Sequence, residues 1–158
     1  MTQLQSLVEA ISSTTKYKKV TPDLIQVIGQ RELAIRPSWK EAVKATKSKL
    51  HQVAGAYQDT KINYTQALDL LQESANSPTE FRETCRSRER LSILEDFFSA
   101  ILGEAPGLLS VIDIACGLNP LAWPWMPFDD QVEYTAYDLY ADSIVFINDF
   151  MDIAGIKG

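Results

Sequence analysis

The pattern of apolar positions along the chain changes near residue 107. Before that point they recur at helical spacing. Leu4, Leu7, Val8 and Ile11 fall at i, i+3, i+4 and i+7 and predict a short first helix. Thr21-Pro22-Asp23 supplies a cap, a proline in the first turn and a first-turn acid, opening a second helix that runs to about Leu33. Trp39, Val43, Leu50 and Val53 mark a third, whose other faces carry Lys40, Lys44, Lys47 and Lys49. A weaker helical segment covers about Tyr64 to Ser74. Ser77-Pro78-Thr79-Glu80 reads as a capping box with proline at the first helical position. After it, Leu91, Leu94, Phe98 and Ile101 continue an apolar stripe to a stop at Gly103 and Pro106-Gly107.

Beyond Gly107 the helical period is lost. Leu108 to Ile114 is a short, nearly continuous apolar run, the pattern of a parallel strand buried on both faces. Cys116-Gly117-Leu118-Asn119-Pro120 breaks that run, and Pro120 to Met126 suits a brief helix before Pro127. Val132 to Tyr137 predicts a second strand, and Tyr140 to Ala154 a further helix. Strand, turn, helix, strand, acid, helix is the opening of a doubly wound α/β sheet. Open sheets of this class usually run to about five strands or more, so the pattern predicts the front portion of a longer protein. The expected organisation is a helical domain over residues 1–105 and the first part of a Rossmann-like domain over 106–158. No internal repeat or low-complexity tract interrupts this order.

Composition narrows the chemistry. With 158 residues and 46% hydrophobic positions the chain can bury a core, and nothing in it reads as disordered or fibrous. Met1 to Ala10 has no basic stretch followed by an apolar one, and no apolar run approaches the roughly 18 residues that span a bilayer. A cytoplasmic protein without membrane contact is therefore expected, and a monomer. The two cysteines, Cys85 and Cys116, are too few for a disulfide framework. The single histidine, His51, leaves too little for a Cys/His zinc site or a Ser-His-Asp triad. No metal site is expected.

The net charge of −6 divides unevenly. Residues 1–61 hold ten Lys/Arg against five Asp/Glu, and residues 62–158 hold five against sixteen. A basic end on an acidic body suggests that the first part alone faces a polyanion, with Lys16, Lys18, Lys19, Lys40, Lys44 and Lys47 as the candidate contacts. The plainer reading is that these lysines solvate helix faces.

In a Rossmann-like unit the turn after the first strand brings backbone close to a ligand, and the helix behind it offers free N–H groups. Gly117 suits that turn, Asn119 can cap the helix and Pro120 can take its first position. Asp138, at the end of the second strand, is placed to accept hydrogen bonds from ribose hydroxyls. Asp113, at the end of the first strand, could orient loop amides or a ligand ammonium group. Cys116 reads as a small packing residue, and Trp123, Trp125 and Phe128 as core or lid packing rather than base-stacking platforms.

Asp113-Ile-Ala-Cys-Gly-Leu-Asn-Pro-Leu-Ala122, Pro124-Trp-Met126 and Tyr134-Thr-Ala-Tyr-Asp138 closely resemble the aminoglycoside-resistance methyltransferases that modify guanine N7 in the decoding site of 16S ribosomal RNA. Asn-Pro-Leu-Ala is unusual among methyltransferases and makes the resemblance specific. It extends to Lys49-Leu-His-Gln-Val-Ala-Gly-Ala-Tyr57, and to Arg88-Glu-Arg-Leu91, which looks like the end of the family's His-x-Ser-Thr-x-Glu-Arg-Leu motif. Thr84 stands where that motif has His, and Arg86-Ser87 where it has Ser-Thr. The resemblance implies a helical domain that docks on the small ribosomal subunit, followed by a Rossmann-like domain binding S-adenosyl-L-methionine. It implies that Asp113, Ala115, Cys116, Gly117, Asn119 and Pro120 form the cradle for the methionine part. Asp138 would hold the ribose and Arg90 the cofactor carboxylate. Two other readings stay open at this stage: a small-molecule methyltransferase of the same fold, and a non-catalytic truncated fragment that binds RNA.

Overall fold

A computed structural model of the protein describes residues 2–54, 62–88, 93–103 and 107–158. The element order is α1 (Gln3–Ser12), α2 (Pro22–Ile35), α3 (Trp39–Ala54), α4 (Tyr64–Ser74), α5 (Pro78–Arg88), α6 (Leu94–Leu102), β1 (Ser110–Ile114), a 3₁₀ helix (Asn119–Trp125), β2 (Glu133–Tyr137) and α7 (Ala141–Ala154). Packing divides these into two compact units. One holds residues 1–62 together with Leu139–Ala141, and the other holds 63–138 and 142–158. The division falls at Ile62/Asn63 rather than near residue 105, because α4, α5 and α6 bury their apolar stripes in the same core as the strands.

In the first unit the helices start where the caps predict. Thr2 accepts from the backbone N–H of Gln5 while the Gln5 side chain accepts from the Thr2 N–H, a reciprocal box that opens α1. Thr21 occupies the cap position of α2 but its side chain makes no capping bond there, and Pro22 alone sets the entry. Leu7, Ile11, Tyr17, Val20, Ile25, Ala42 and Leu50 form the core. Leu139–Ala141 joins this unit through a short antiparallel pairing with Lys19–Thr21, in which Thr21 N–H donates to the Leu139 carbonyl (2.9 Å) and Ala141 N–H to that of Lys19 (2.9 Å).

The second unit is built around a two-stranded parallel sheet in which Ser110 pairs with Glu133 and Ile114 with Tyr137. A parallel bridge between Glu133 and Lys157, with Tyr134 N–H donating to the Lys157 carbonyl (2.6 Å), extends the pairing along the other edge of β2. Asn63 caps α4 by accepting from Gln66 N–H, and Ser77 accepts from Glu80 N–H at the start of α5. The apolar stripe expected to run on from Ser77 is split between α5 and α6. Leu94 and Phe98 are buried, Ile101 is exposed, and Leu91 lies outside the described residues.

Alternation along the strands sends Val111, Asp113, Tyr134 and Ala136 to the core side. The other face carries Ile112, Ile114 and Tyr137, which are 66%, 77% and 56% exposed. The expectation that β1 is buried on both faces is therefore corrected: the described helices of this unit cover one face of the sheet only. Phe146, Ile147, Phe150 and Met151 of α7 pack on the covered face, with Phe146 stacked on Tyr64 and Phe150 on Phe81. No described helix is long and apolar enough to cross a membrane.

Candidate functional site

The carboxyl ends of β1 and β2 lie side by side, and the segment after β1 turns between them. Two residues give it its shape: Ala115 at φ +59 and Gly117 at φ +53. The left-handed region is unfavourable for a residue with a Cβ, so Ala115 carries local backbone strain of about 1–3 kcal/mol, which surrounding bonds must offset. Those bonds are present. Cys116 N–H donates to the Tyr137 carbonyl (3.0 Å), Gly117 N–H to Asp138 Oδ2 (2.8 Å), and Asn119 N–H to the Cys116 carbonyl (2.9 Å). The loop is thus pinned to the tip of β2 by one backbone bond and one carboxylate. A Cβ placed on Gly117 would meet nothing within 4 Å, so open space lies over its backbone.

The 3₁₀ helix follows directly. Leu118 takes its cap position without a side-chain capping bond, and Asn119 and Pro120 lie in the first turn. The expected role of Asn119 as the cap is corrected here. Its amide instead reaches back to β1 and donates to Asp113 Oδ2 (2.7 Å). The Tyr134 hydroxyl donates to the same oxygen at 2.5 Å. Among the described residues, both donors to the Asp113 side chain therefore fall on Oδ2. Tyr134 is 1% exposed, and burial followed by the Asp113 contact pushes its hydroxyl pKa upward, so it stays a donor.

Cys116 is buried beside this network. Burial first, then the charges of Asp138 and Asp113, push its thiol up to about 12, which keeps it protonated and suits a packing residue. Trp123 packs edge-on to Tyr134 (5.7 Å between ring centres) and against Phe128 (5.3 Å). Trp125 is buried under the Arg82 guanidinium, which also pairs with Glu95 at 3.2 Å.

Of the residues singled out from the sequence, Asp113, Ala115, Cys116, Gly117, Asn119, Pro120 and Asp138 come together at this end of the sheet. Arg90 lies outside the described residues. Tyr134 was not singled out. The signal was available in the strand alternation, which puts Tyr134 and Asp113 on the same inward face, and a buried tyrosine hydroxyl requires a partner. The pattern fits a methionine-type donor group on chemical grounds. It offers accessible backbone at a positive-φ glycine and two carboxylates suited to an ammonium group and to ribose hydroxyls.

The candidate RNA contacts belong to the first unit. Lys16, Lys18, Lys19, Lys40 and Lys44 are exposed and Lys47 is half-buried. On α3, Lys40, Lys44 and Lys47 follow one another at i, i+4 and i+7, a single face. The Tyr17 hydroxyl donates to the Lys47 carbonyl (3.0 Å), and Lys16 Nζ sits 3.0 Å from His51 Nδ1, so the segment carrying Lys16, Lys18 and Lys19 is fastened to α3. Lys49 pairs with Glu32 at 2.6 Å.

Residues 13–158 match the model of a family described as ribosomal RNA methyltransferase (FmrO). The chain is similar to a 16S rRNA (guanine(1405)-N(7))-methyltransferase of Micromonospora echinospora, 31% identical over 166 residues that take in 98% of this chain and 61% of the relative. A protein of the same name from Frankia casuarinae is 31% identical over 94% of this chain and 57% of its own length. The chain thus spans about three-fifths of the length of these relatives. Among solved structures it resembles the 16S rRNA methylase RmtB, with a TM-score of 0.68 and 26% identity over 98% of this chain and 61% of that one. It shares its fold with the 16S rRNA methyltransferase RmtF in complex with S-adenosyl-L-homocysteine, with a TM-score of 0.61 and 20% identity over 99% and 60%.

Proposed function

The chain belongs to the ribosomal RNA methyltransferase (FmrO) family, and from that premise we propose that it serves S-adenosylmethionine-dependent methylation of a 16S rRNA guanine at N7, the reaction named for its relatives. The target is a decoding-site guanine in the small ribosomal subunit, and its modification gives resistance to aminoglycosides. That target places the protein in the cytoplasm. The observation that carries the reading is the Gly117 N–H to Asp138 bond of 2.8 Å, which joins the loop after one parallel strand to the tip of its neighbour. The parallel bridge from Glu133 to Lys157 on the far edge of β2 supports a Rossmann-like sheet.

In this reading S-adenosylmethionine, when bound, supplies a methyl group on a sulfonium. Asp113 orients the ammonium of its amino-acid part, and the backbone around Gly117 lets that part approach closely. Asp138 serves the ribose hydroxyls as a hydrogen-bond acceptor. Arg90 is suited to the carboxylate by its planar fork of donors. The chain needs no general base, because guanine N7 already bears a lone pair and loses no proton. The contribution of its residues is to hold two reactants in line and exclude competing geometries. The lysines of the first unit supply sequence-independent attraction to phosphates, which makes docking steeply dependent on salt.

The test is methyl transfer to isolated small ribosomal subunits and calorimetric titration with S-adenosylhomocysteine, with and without Asp138→Ala. The substitution is expected to lower cofactor affinity at least tenfold and activity with it. Unchanged affinity would contradict the ribose role. Methylation of a small molecule with no salt-sensitive binding to subunits would replace the rRNA reading with a small-molecule one.

A further inference from the structure

We infer that Tyr134 is a positioning residue for the methyl donor: its hydroxyl, together with the Asn119 amide, occupies one oxygen of Asp113 and so commits the other to the donor's ammonium group. The inference rests on the cofactor reading above and adds to it a residue that touches no ligand. A carboxylate at the mouth of a crevice can rotate and spread its acceptor capacity over any nearby donor. Asp113 is denied that freedom. Tyr134 lies one strand over on the same inward face, opposite Val111 in the register, and its hydroxyl reaches diagonally to Asp113 Oδ2. Asn119, in the first turn of the 3₁₀ helix, closes on the same atom from the loop side at 2.7 Å. Among the described residues Oδ1 receives neither donor, while Asp113 itself is only half-buried.

Tyr134 is suited to hold this arrangement. It is 1% exposed and its ring is fixed by the edge of Trp123, so the hydroxyl has little room to leave Asp113. Burial raises its pKa, so it remains a donor across any working pH. The bond also ties β2 to β1 through side chains, while Asn119 on Asp113 and Gly117 on Asp138 fasten the turn to two carboxylates, one near the end of each strand.

Tyr134→Phe keeps the ring and its packing and deletes only the donor. Calorimetry on this variant would compare two probes: S-adenosylhomocysteine, which carries the ammonium, and 5′-methylthioadenosine, which shares the adenosine and thioether but lacks the amino-acid part. Affinity for S-adenosylhomocysteine is expected to fall about tenfold, the scale of a hydrogen bond to a charged group, with 5′-methylthioadenosine affinity changed less than about twofold. In an Asp113→Asn background the same Tyr134→Phe change is expected to add almost nothing, because the two act through one interaction. Equal loss for both probes would mean that Tyr134 merely supports the fold and would overturn the assignment, as would an unaltered affinity for S-adenosylhomocysteine. Failure of the unaltered chain to bind either probe would overturn the cofactor reading itself, and the assignment with it.

Discussion

Gly117 holds φ +53 over open space, while Ala115, two residues earlier, holds a similar φ with a side chain attached. The two positions therefore separate strain from access. Gly117→Ala is expected to cost about 1–2 kcal/mol for the left-handed backbone, a shift of roughly 2–8 °C in the unfolding midpoint of a chain this size. It adds no clash within the protein, so a larger loss in S-adenosylhomocysteine affinity, tenfold or more by calorimetry, would locate the ligand over that backbone. A variant that loses stability but binds as before would place the ligand elsewhere. Ala115→Gly runs the other way. It relieves strain at a site where the fold tolerates a Cβ, so the gain in backbone fit opposes the greater entropy of the unfolded chain.

Helices α2 and α3 are joined by a charge cluster in which an enclosed carboxylate meets two partly exposed cations. The Glu32 side chain is fully enclosed, with Arg36 Nε at 2.9 Å from Oε2 and Lys49 Nζ at 2.6 Å from Oε1. The Lys49 bond first and the Arg36 bond second hold its carboxyl below the usual 4.5, against the opposing effect of burial. A folded-state pKa below the unfolded one means that the ionised pair stabilises the protein above the ordinary carboxylate range and loses that effect on acidification. Glu32→Gln is therefore expected to lower the denaturation midpoint at pH 7, with the gap to the unaltered protein closing as the pH is taken below about 4. A gap that persists unchanged into acid would show that packing, not charge, holds the two helices. In the sheet the same logic of burial applies by face. Leu71, fully buried in α4, should cost about 2–5 kcal/mol when cut to alanine, whereas Ile112→Thr on the exposed strand face should change stability by about 0.5 kcal/mol or less, both read by chemical denaturation.

The basic character of residues 1–61 and the acidic character of the rest coincide closely with the two packed units, which divide at Ile62/Asn63. On the proposed reading the lysines act additively through phosphates and not through the donor site. Replacing Lys40, Lys44 and Lys47 with glutamine should lower the slope of log affinity against log salt for small-subunit binding by about one per lost contact. Affinity for S-adenosylhomocysteine should stay the same. An unaltered slope would remove α3 from the docking surface. The charge pattern was legible because charge depends on residue identity alone. Much of the candidate site was legible too: Gly117 in a turn, Asp113 near the end of β1 and Asp138 just after β2 are local features, and the strand assignments required only the loss of helical period after Gly107.

The sequence by itself determined where helices and strands lie, since hydrogen bonding within a helix and alternation along a strand depend on neighbours a few positions away. It also determined that a flexible backbone position follows β1 and that Asp138 stands at the end of β2. Only the tertiary structure decided that Asn119 turns away from capping to hold Asp113, and that Tyr134 joins it there. Packing likewise placed α4 to α6 with the sheet, left Ile112 and Ile114 on an open face, and paired Leu139–Ala141 with Lys19–Thr21 across more than a hundred residues. Each of these is a choice among partners distant in sequence. Such a choice follows from which surfaces meet, and no local spacing encodes it.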